Sequence, residues 1–300
     1  MVAKKLTNPL VVVVGATATG KTSLAIRLAK KFNGEIVSAD SWLVRRETNI
    51  GTAKPTDNEL KQVPHHMINI ISPCEDYSAA RYKNEALKAI DSIWSRNKLP
   101  LLVGGTGLYI DSILYNYSFL PPSTNSERSK LNSMTLNELL VCAQNNKLPI
   151  DLIDKRNKRR IIRLIETGGK LPAKESLRDN TLIIGLSASK EALDQLIKIR
   201  VQEMITRGLE REVYELSKRY GWDCEALKGI GYHEWKLYFE GKLSLQATED
   251  RINKDTIMLA KRQNTWFKRN KSIQWQTTPV NDVNVDDIVT TFLSKYITKT

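Results

Sequence analysis

The sequence predicts an α/β fold in which helices flank a parallel sheet, with a small helical domain inserted into it. Residues 10–120 alternate short apolar runs with amphipathic segments, which is the pattern of βαβ units. Residues 121–180 begin with two prolines and are polar and helical in character. The run NTLIIGLSAS then returns to a β-like pattern. We therefore expect a core of residues 1–120 and 181–300 around a helical insertion at 121–180.

The elements of the core follow one another along the chain. LVVVVG is predicted as a strand, TSLAIRLAKKF as a helix and GEIVSADS as a second strand. YSAARYKNEALKAIDSIWSRN has apolar residues at helical spacing, and LPLLVGG is a further buried strand. Residues 190–270 are expected to be helical, and the polar tail to end in a helix near DDIVTTFLSKYI.

The first strand runs into GATATGKT, which matches the phosphate-binding loop G-x-x-x-x-G-K-[ST]. A strand before the loop and a helix after it are the context that this loop requires, so we predict a P-loop NTPase-like core. Backbone N–H groups and the helix N-terminus bind phosphate oxygens in such a loop. Lys21 supplies a cation, and the Thr22 hydroxyl is placed to ligate Mg²⁺.

NTPases of this class usually carry a second motif, an apolar strand that ends in an aspartate and helps to hold magnesium. The distal strand of this chain lacks that aspartate. LPLLV ends in Gly104, Gly105 and Thr106, whereas EIVSAD ends in Asp40. Asp40 can hold magnesium through water, act as a base facing the phosphate site, or stabilise a helix cap or turn. Position alone leaves these roles open.

Charge indicates a polyanionic partner. The 300 residues carry a formal net charge of +13, which favours nucleic acid first and a membrane surface second, with a solvated basic surface as the plain alternative. KRNKRRIIR places six basic residues in nine positions, in a pattern suited to phosphate contacts without sequence choice. A solvated helix face is the alternative interpretation of that run.

Composition also bounds the class of protein. Cys74, Cys142 and Cys224 lie far apart without a CxxC pair, so neither a disulfide framework nor a Cys-rich zinc site is expected. The N-terminus is too short and polar for a signal peptide, and no apolar run approaches ~20 residues. We expect a cytoplasmic protein that does not enter a membrane.

Ten segments occur in one order along about residues 10–275: GATATGKTSLAI, SADS, NIGTAKP, VPHHMINI, YSAARY, LLVGGTGLYI, NKRRIIRLIE, IKIRVQEMITRGL, KGIGYHE and LAKRQNTWF. This set resembles the tRNA dimethylallyltransferase (tRNA isopentenyltransferase) family of bacterial type. The phosphate loop alone is shared by many families, whereas the ordered set of IGTAKP, GGTGLY, GYxE and AKRQ is specific.

The resemblance implies transfer of a dimethylallyl group from dimethylallyl diphosphate to N6 of adenosine 37, beside the anticodon of tRNA, with release of diphosphate. It implies Mg²⁺ as cofactor, ligated by Thr22, and Asp40 as general base, with Lys21, Thr22 and Arg200 completing the catalytic set. The diphosphate would be bound by Gly15, Thr17, Ala18, Thr19, Gly20, Lys21, Thr22 and Arg200.

The resemblance also implies contacts with the anticodon stem-loop of tRNA, whose target base would leave its stack to reach the site. The implied positions are Asp40, Ser41, Trp42, Leu43, Thr106, Arg128, Arg159, Arg160, Ile161, Ile162, Arg163, Lys228, Gly229, Ile230, Gly231, Tyr232, His233, Lys261, Arg262 and Gln263.

Arg45 and Asn49 depart from the tyrosine and aspartate that the family often has, and the insertion looks short. We expect a monomer.

Three other functions stay open at this point. A P-loop small-molecule kinase predicts nucleotide turnover, and a non-catalytic RNA-binding protein predicts that Asp40→Ala changes no activity. Prenyl transfer to a free adenine nucleotide is the third. The basic insertion favours RNA over AMP, and the intact set of catalytic side chains disfavours a non-catalytic role.

Overall fold

The computed structural model describes residues 8–121 and 123–296, and within them six strands form one parallel sheet. The strands are β1 (Leu10–Gly15), β2 (Gly34–Ser38), β3 (His65–His66), β4 (Leu99–Gly104), β5 (Thr181–Ser187) and β6 (Ile273–Thr277). Their order across the sheet is β3-β2-β4-β1-β5-β6. The predicted α/β class is confirmed, and the run after the insertion rejoins the sheet as β5.

β1 lies inside the sheet, between β4 and β5. Val12 pairs with Leu102 on one side and with Ile183 on the other. All of the residues from Leu10 to Val14 have 0% of their surface exposed, which explains the continuous β-branched run. Because neighbouring strands are parallel, the segments that follow β1, β2 and β4 meet at one edge of the sheet.

Helices cover both faces of this sheet. Those before the insertion are α1 (Lys21–Lys31), α2 (Asp57–Gln62), α3 (Ala79–Ser95) and α4 (Gly107–Leu114), and those after it are α8 (Lys190–Thr206), α9 (Leu209–Tyr220), α10 (Trp235–Phe239), α11 (Leu245–Phe267) and α12 (Asp282–Leu293). Side-chain N-caps fix several starts: Ser78, Ser189 and Ser244 each accept a hydrogen bond from the backbone N–H three residues later.

Two apolar cores stabilise this unit. One joins α1 and α12 to the sheet through residues such as Leu28, Ile184 and Val289. The other joins α8, α9, α10 and α11 around the fully buried Trp235. No helix in the described part of the chain is long and apolar enough to cross a membrane.

Residues 115–177 form a separate compact unit. It contains α5 (Asn125–Ser133), α6 (Leu136–Asn145) and α7 (Lys158–Glu166). Its ends pair with each other, since Glu175 N–H donates to Tyr115 O at 2.8 Å. The predicted insertion, 121–180, therefore begins and ends a few residues later than this unit. The pairing of Tyr115 with Glu175 sets its boundary, and Tyr115 precedes the two prolines.

Two features of the fold differ from the sequence analysis. β6 adds an edge strand beside β5, where only a polar tail was expected. Cys74 and Cys224 form a disulfide with their Cα atoms 4.7 Å apart, so the expectation against disulfides is wrong for this pair. The loops that carry them are adjacent in the fold, where Ala226 N–H donates to Pro73 O at 3.1 Å.

Glu35, at the amino end of β2, is a buried acid that is hydrogen-bonded to a histidine, an arginine and a lysine. Its carboxylate contacts His66 Nε2 and Arg96 Nη2 at 2.7 Å and Lys98 Nζ at 2.9 Å. Burial raises the pKa of Glu35, but the three hydrogen bonds outweigh it and lower that pKa to about 2. Ionised Glu35 therefore stabilises the folded chain.

We expect Glu35→Gln to lower the free energy of unfolding by about 2 kcal/mol at neutral pH, because Arg96 and Lys98 lose a buried anion. The folded pKa lies below the unfolded one, so this contribution is present above about pH 4.5 and fades as pH falls towards 2. Urea denaturation at pH 7 and pH 3 measures it. An equal penalty at both pH values, or one no larger than that of the exposed control Asp287→Asn, would contradict this account.

Candidate active site

The phosphate loop has the backbone shape that an anion cradle needs. Gly15 and Gly20 have φ values of +151° and +85°, and Ala18 has a φ of +67°. A Cβ atom at Gly15 would lie 2.6 Å from Leu186 O, so no larger residue fits beside β5. Gly20 precedes α1 without a side-chain cap, which leaves the first amides of the helix to a ligand.

One hydrogen bond within the loop and one from a distant segment hold the loop in shape. Thr19 Oγ1 donates to Ala16 O at 2.9 Å, and Thr17 N–H donates to Gln263 Oε1 at 2.8 Å. Gln263 Nε2 in turn donates to Gly105 O at 3.1 Å. Both ends of the Gln263 amide are thus used within the protein. Gln263 therefore joins the phosphate loop to the end of β4, and it also lines the cavity; its contact with tRNA stays a prediction.

Two cations face the loop. Lys21 Nζ donates to Ala16 O at 2.6 Å, and Arg200 Nη1, from α8, donates to Thr17 Oγ1 at 3.1 Å. Burial and the nearby Arg200 lower the pKa of Lys21 to about 7, against a raising effect of Asp40. Burial also lowers the pKa of Arg200. Bringing an anion here would relieve the repulsion of the two cations, so the site selects negatively charged ligands.

Asp40 lies directly after β2, on the same edge of the sheet. Its Oδ1 accepts a hydrogen bond from Trp42 N–H at 2.9 Å, so it makes the turn that was one of its predicted roles. The turn is fixed to the end of β4, since Thr106 Oγ1 accepts from Ser41 N–H at 3.0 Å and Thr106 N–H donates to Ala39 O at 3.1 Å. This packing orients the carboxylate.

One cavity of about 530 Å³ brings the predicted catalytic side chains together. Lys21, Thr22, Asp40 and Arg200 all line it. Its remaining walls combine apolar side chains of α8 and α11 with an irregular segment after β2; they include Leu196, Met204, Ile252, Leu259 and residues 51–56. A charged end beside apolar walls suits a ligand with an anionic head and an apolar tail.

The segment after Asp40 packs against the turn at 229–233. A Cβ atom at Gly229 would lie 2.9 Å from the Trp42 ring, so this glycine lets the indole lie flat on the backbone. Trp42, Leu43, Ile230 and Gly231 line the cavity.

The other predicted tRNA contacts differ in exposure. Lys228, His233, Lys261 and Arg262 are exposed. The Tyr232 side chain is fully buried, which corrects its predicted contact with tRNA: it packs inside the core of the catalytic unit.

The insertion separates its basic residues into two groups. Arg159 and Arg160 are exposed on α7. Arg128 and Arg163 instead donate to Glu166 at 2.8 and 3.1 Å, so their charges stabilise the unit itself.

The two isoleucines of the same run need a correction. Ile161 and Ile162 are 0% and 1% exposed and belong to the core of this unit with Leu139, Ala143 and Leu164. Their side chains hold α7 in place, and the arginines Arg159 and Arg160 form its exposed face.

Lys54 is a cavity residue that the sequence analysis missed, although it lies in the NIGTAKP segment. Its ammonium group donates to Asn69 Oδ1 at 2.6 Å and to Asn49 Oδ1 at 3.3 Å, and the side chain is buried. Burial lowers the pKa of Lys54 to about 8, partly offset by Glu212. Lys54 therefore holds the irregular wall of the cavity from inside, with asparagine at 49 in place of the aspartate that the family often has.

A comparison with protein families decides what this arrangement belongs to. The model of the family described as IPP transferase matches residues 43–270. The chain belongs to the IPP transferase family. The family resemblance read from the sequence is confirmed, and so is the enzyme class, a prenyltransferase.

Members of the IPP transferase family match along nearly the whole chain. A tRNA dimethylallyltransferase of Pelotomaculum thermopropionicum is 38% identical over 283 residues, which are 89% of this chain and 90% of that protein. One of Desulforudis audaxviator is 40% identical over 284 residues, 89% of this chain and 91% of that protein.

Solved structures agree with these relatives. The tRNA isopentenylpyrophosphate transferase of Bacillus halodurans has 33% identity and a TM-score of 0.75, over 96% of this chain and 97% of that one. A eukaryotic dimethylallyltransferase acting on tRNA has 26% identity and a TM-score of 0.81, over 98% of this chain and 81% of that one. The P-loop NTPase-like fold is that of the IPP transferase family.

Binding of an anion should load Lys21 with a proton. Its pKa of about 7 means that it is mostly neutral at pH 8, and a bound diphosphate favours its charged form. We expect calorimetry with inorganic pyrophosphate at pH 8, in buffers of different ionisation enthalpy, to show uptake of ~1 proton more by the wild-type chain than by Lys21→Met. At pH 6 the difference should largely disappear.

The control for this experiment is Lys30→Met, an exposed lysine on the same helix, which should match the wild-type chain. Equal proton uptake by the wild-type chain and Lys21→Met at pH 8 would show that Lys21 does not sense the anion.

Proposed function

We propose that this enzyme transfers a dimethylallyl group from dimethylallyl diphosphate to N6 of adenosine 37 in tRNA and releases diphosphate. The observation that carries the proposal is the single cavity in which the phosphate loop and Arg200 lie together with the Asp40 carboxylate. Membership of the IPP transferase family supports the prenyl donor and the tRNA acceptor. The geometry supports a division of labour between the two ends of the cavity.

The cationic end acts on the donor. As the allylic C–O bond breaks, its electron pair goes to the departing diphosphate, whose charge the loop amides, Lys21 and Arg200 stabilise. Arg200 suits this role because its guanidinium already lies 3.1 Å from the Thr17 hydroxyl of the loop. The apolar walls on α8 and α11 exclude water from the electron-poor prenyl carbon.

Mg²⁺ fits the residues at this end. Thr22 lines the cavity in the first turn of α1, and Mg²⁺ is commonly held by few protein ligands together with phosphate oxygens and waters. Thr22 would hold the ion, which would supply further positive charge to the departing diphosphate. Transfer of a prenyl group leaves every phosphorus–oxygen bond intact, so an acid after β4 is not needed.

The carboxylate end acts on the acceptor. An adenine N6 amine is a weak nucleophile, and a general base takes its proton as the N–C bond forms. Trp42 N–H fixes one oxygen of Asp40, and the second oxygen is the one we assign to the amine. Trp42 lines the same cavity, and we assign its ring to stacking with a base that has left the loop.

Exposed basic side chains supply the contacts with the RNA backbone. Arg159 and Arg160 present them on the insertion, and Lys261 and Arg262 present them on α11 of the catalytic unit. Such contacts set affinity and its salt dependence, whereas the choice of base depends on the cavity.

The direct test incubates the purified chain with Mg²⁺, dimethylallyl diphosphate and an unmodified anticodon stem-loop with adenosines around position 37, followed by mass spectrometry. We expect one five-carbon unit to be added to adenosine 37. Asp40→Asn should lower kcat by about 10²-fold or more because the base is lost, with RNA affinity little changed. Asp287→Asn, an exposed acid on α12, serves as the matched control.

Parallel reactions separate the alternatives. AMP in place of RNA tests transfer to a free nucleotide, and ATP in place of the prenyl donor tests a kinase. Prenylated AMP or consumed ATP, without modified RNA, would overturn the proposal. Full activity of Asp40→Asn would remove Asp40 from its role as base.

Replacement of Arg159 and Arg160 by glutamine should weaken stem-loop binding and reduce the slope of log affinity against log salt by ~1 to 2, because each arginine that neutralises a phosphate contributes about one unit to that slope. Filter binding at salt concentrations from about 50 to about 300 mM measures this slope. The control replaces Lys88 and Lys190, exposed lysines on α3 and α8, by glutamine. An equal change in both double variants would mean that net charge, and not α7, determines the slope.

A further inference from the structure

Glu212, in the first turn of α9, accepts hydrogen bonds from three successive backbone amides. Its Oε2 accepts from Asn49 N–H and Ile50 N–H, each at 2.9 Å, and its Oε1 accepts from Gly51 N–H at 3.1 Å. Oε1 also accepts from the Tyr232 hydroxyl at 2.7 Å. Bonds to a carboxylate are roughly twice as strong as those between neutral groups, so this one side chain fixes a short stretch of backbone firmly.

The two segments that Glu212 joins are both walls of the active-site cavity. Residues 51–56 line it on one side, and Ile230 and Gly231 of the turn before Tyr232 line it on another. They also fit against each other: a Cβ atom at Gly51 would lie 2.5 Å from the Tyr232 ring, and one at Gly231 would lie 3.3 Å from Gly51 O. Glu212 therefore sets the spacing between these walls.

Regular structure does not fix the first of these walls. Residues 46–56 form bends and turns between β2 and α2 and belong to no strand or helix. Their backbone amides at 49–51 donate to Glu212 and not to a sheet. Lys54 holds the same segment through side-chain contacts, and Arg46 N–H donates to Ile71 O at 2.9 Å, whereas Glu212 holds three of its successive backbone amides.

We propose that Glu212 is a positioning residue for the acceptor: it holds the Asn49–Gly51 backbone and, through Tyr232, the 229–233 turn at the spacing that places the adenine beside Asp40. This inference rests on the function proposed above. The diphosphate cradle is built by other segments, namely the phosphate loop and Arg200. The role of Glu212 should therefore appear in the kinetics of the RNA acceptor and not in the affinity for the diphosphate.

The test compares Glu212→Gln with the wild-type chain. Glutamine has the same size, but its NH₂ group must face amides that also donate, so at least one of them loses its acceptor. We expect kcat/KM for the anticodon stem-loop to fall by about 10- to 100-fold, as small misplacements of reacting groups do. The Kd for inorganic pyrophosphate should stay within about 2-fold, and Tyr232→Phe should show a smaller loss in the same direction.

The matched control is Glu215→Gln. Glu215 lies one turn further along α9, is exposed, and pairs with Arg211 at 2.7 Å. We expect its kinetics to equal those of the wild-type chain. Thermal unfolding of all variants shows whether the fold is kept, and Tyr232→Phe, which leaves the carboxylate in place, serves if Glu212→Gln does not fold.

Hydrogen–deuterium exchange gives a readout that does not need activity. Amides 49–51 should exchange at least about 10-fold faster in Glu212→Gln, the loss of ~1.4 kcal/mol of local protection, and at the wild-type rate in Glu215→Gln. Unchanged exchange, or faster exchange with unchanged kcat/KM, would overturn the proposal. So would an equal loss of pyrophosphate affinity, which would indicate general damage to the fold.

The two proposals fail in different ways. If the wild-type chain transfers no prenyl group to RNA, the proposed function fails. The positioning role is then judged by exchange at 49–51 and by stem-loop affinity in Glu212→Gln: a change in both supports it, and no change in either overturns it.

Discussion

The burial of β1 between β4 and β5 is the constraint on which the site depends. A strand paired on both sides in parallel has its carboxyl end level with those of its neighbours, so the phosphate loop emerges next to the segments that follow β2 and β4. Close backbone approaches then replace side-chain packing at this edge. A Cβ atom at Gly104 would lie 2.2 Å from Ala39 O, so the Asp40 turn can reach its place only beside a glycine.

Electrostatics give this edge its chemistry. Lys21 and Arg200 are both partly desolvated and repel each other, which lowers the pKa of Lys21 to about 7. Asp40 favours the charged form of both, but one carboxylate does not neutralise two cations and the loop amides together. An anionic ligand completes the balance. In the reaction we propose, the departing diphosphate gains negative charge as the bond breaks, so the site would stabilise the transition state more than the ground state.

Local patterns made part of this site predictable. The phosphate loop and its flanking strand and helix are encoded within residues 10–31, and Asp40 follows a strand whose apolar run is plain in the sequence. The supports of the site are non-local. Gln263 is 246 positions from Thr17, and Glu212 is 163 positions from Asn49, so no spacing rule connects them. The resemblance identified Gln263 but not its bonds to the phosphate loop and to Gly105, because a family motif records identity and not contacts.

The same reasoning explains the errors about the fold. Cys74 and Cys224 are 150 positions apart, and only the packing of their loops brings them together. IQWQT does alternate apolar and polar residues, but over only five positions within a polar tail, and as an edge strand it buries only part of its surface. The isoleucines of α7 are a further case: the resemblance placed them among the tRNA contacts, but their side chains lie in the core of the insertion, which a motif of consecutive residues does not record.

The central claim is that one cavity holds the donor and the acceptor, with Asp40 on the acceptor side. A crystal structure of the chain with an anticodon stem-loop and an unreactive thio analogue of dimethylallyl diphosphate tests it most directly. The account predicts the diphosphate on the phosphate loop and Arg200, adenine N6 within about 2.6–3.2 Å of an Asp40 oxygen, and the allylic carbon ~3–3.5 Å from N6. An adenine bound outside the cavity, or Asp40 bonded to Trp42 alone with the amine held by another group, would contradict it.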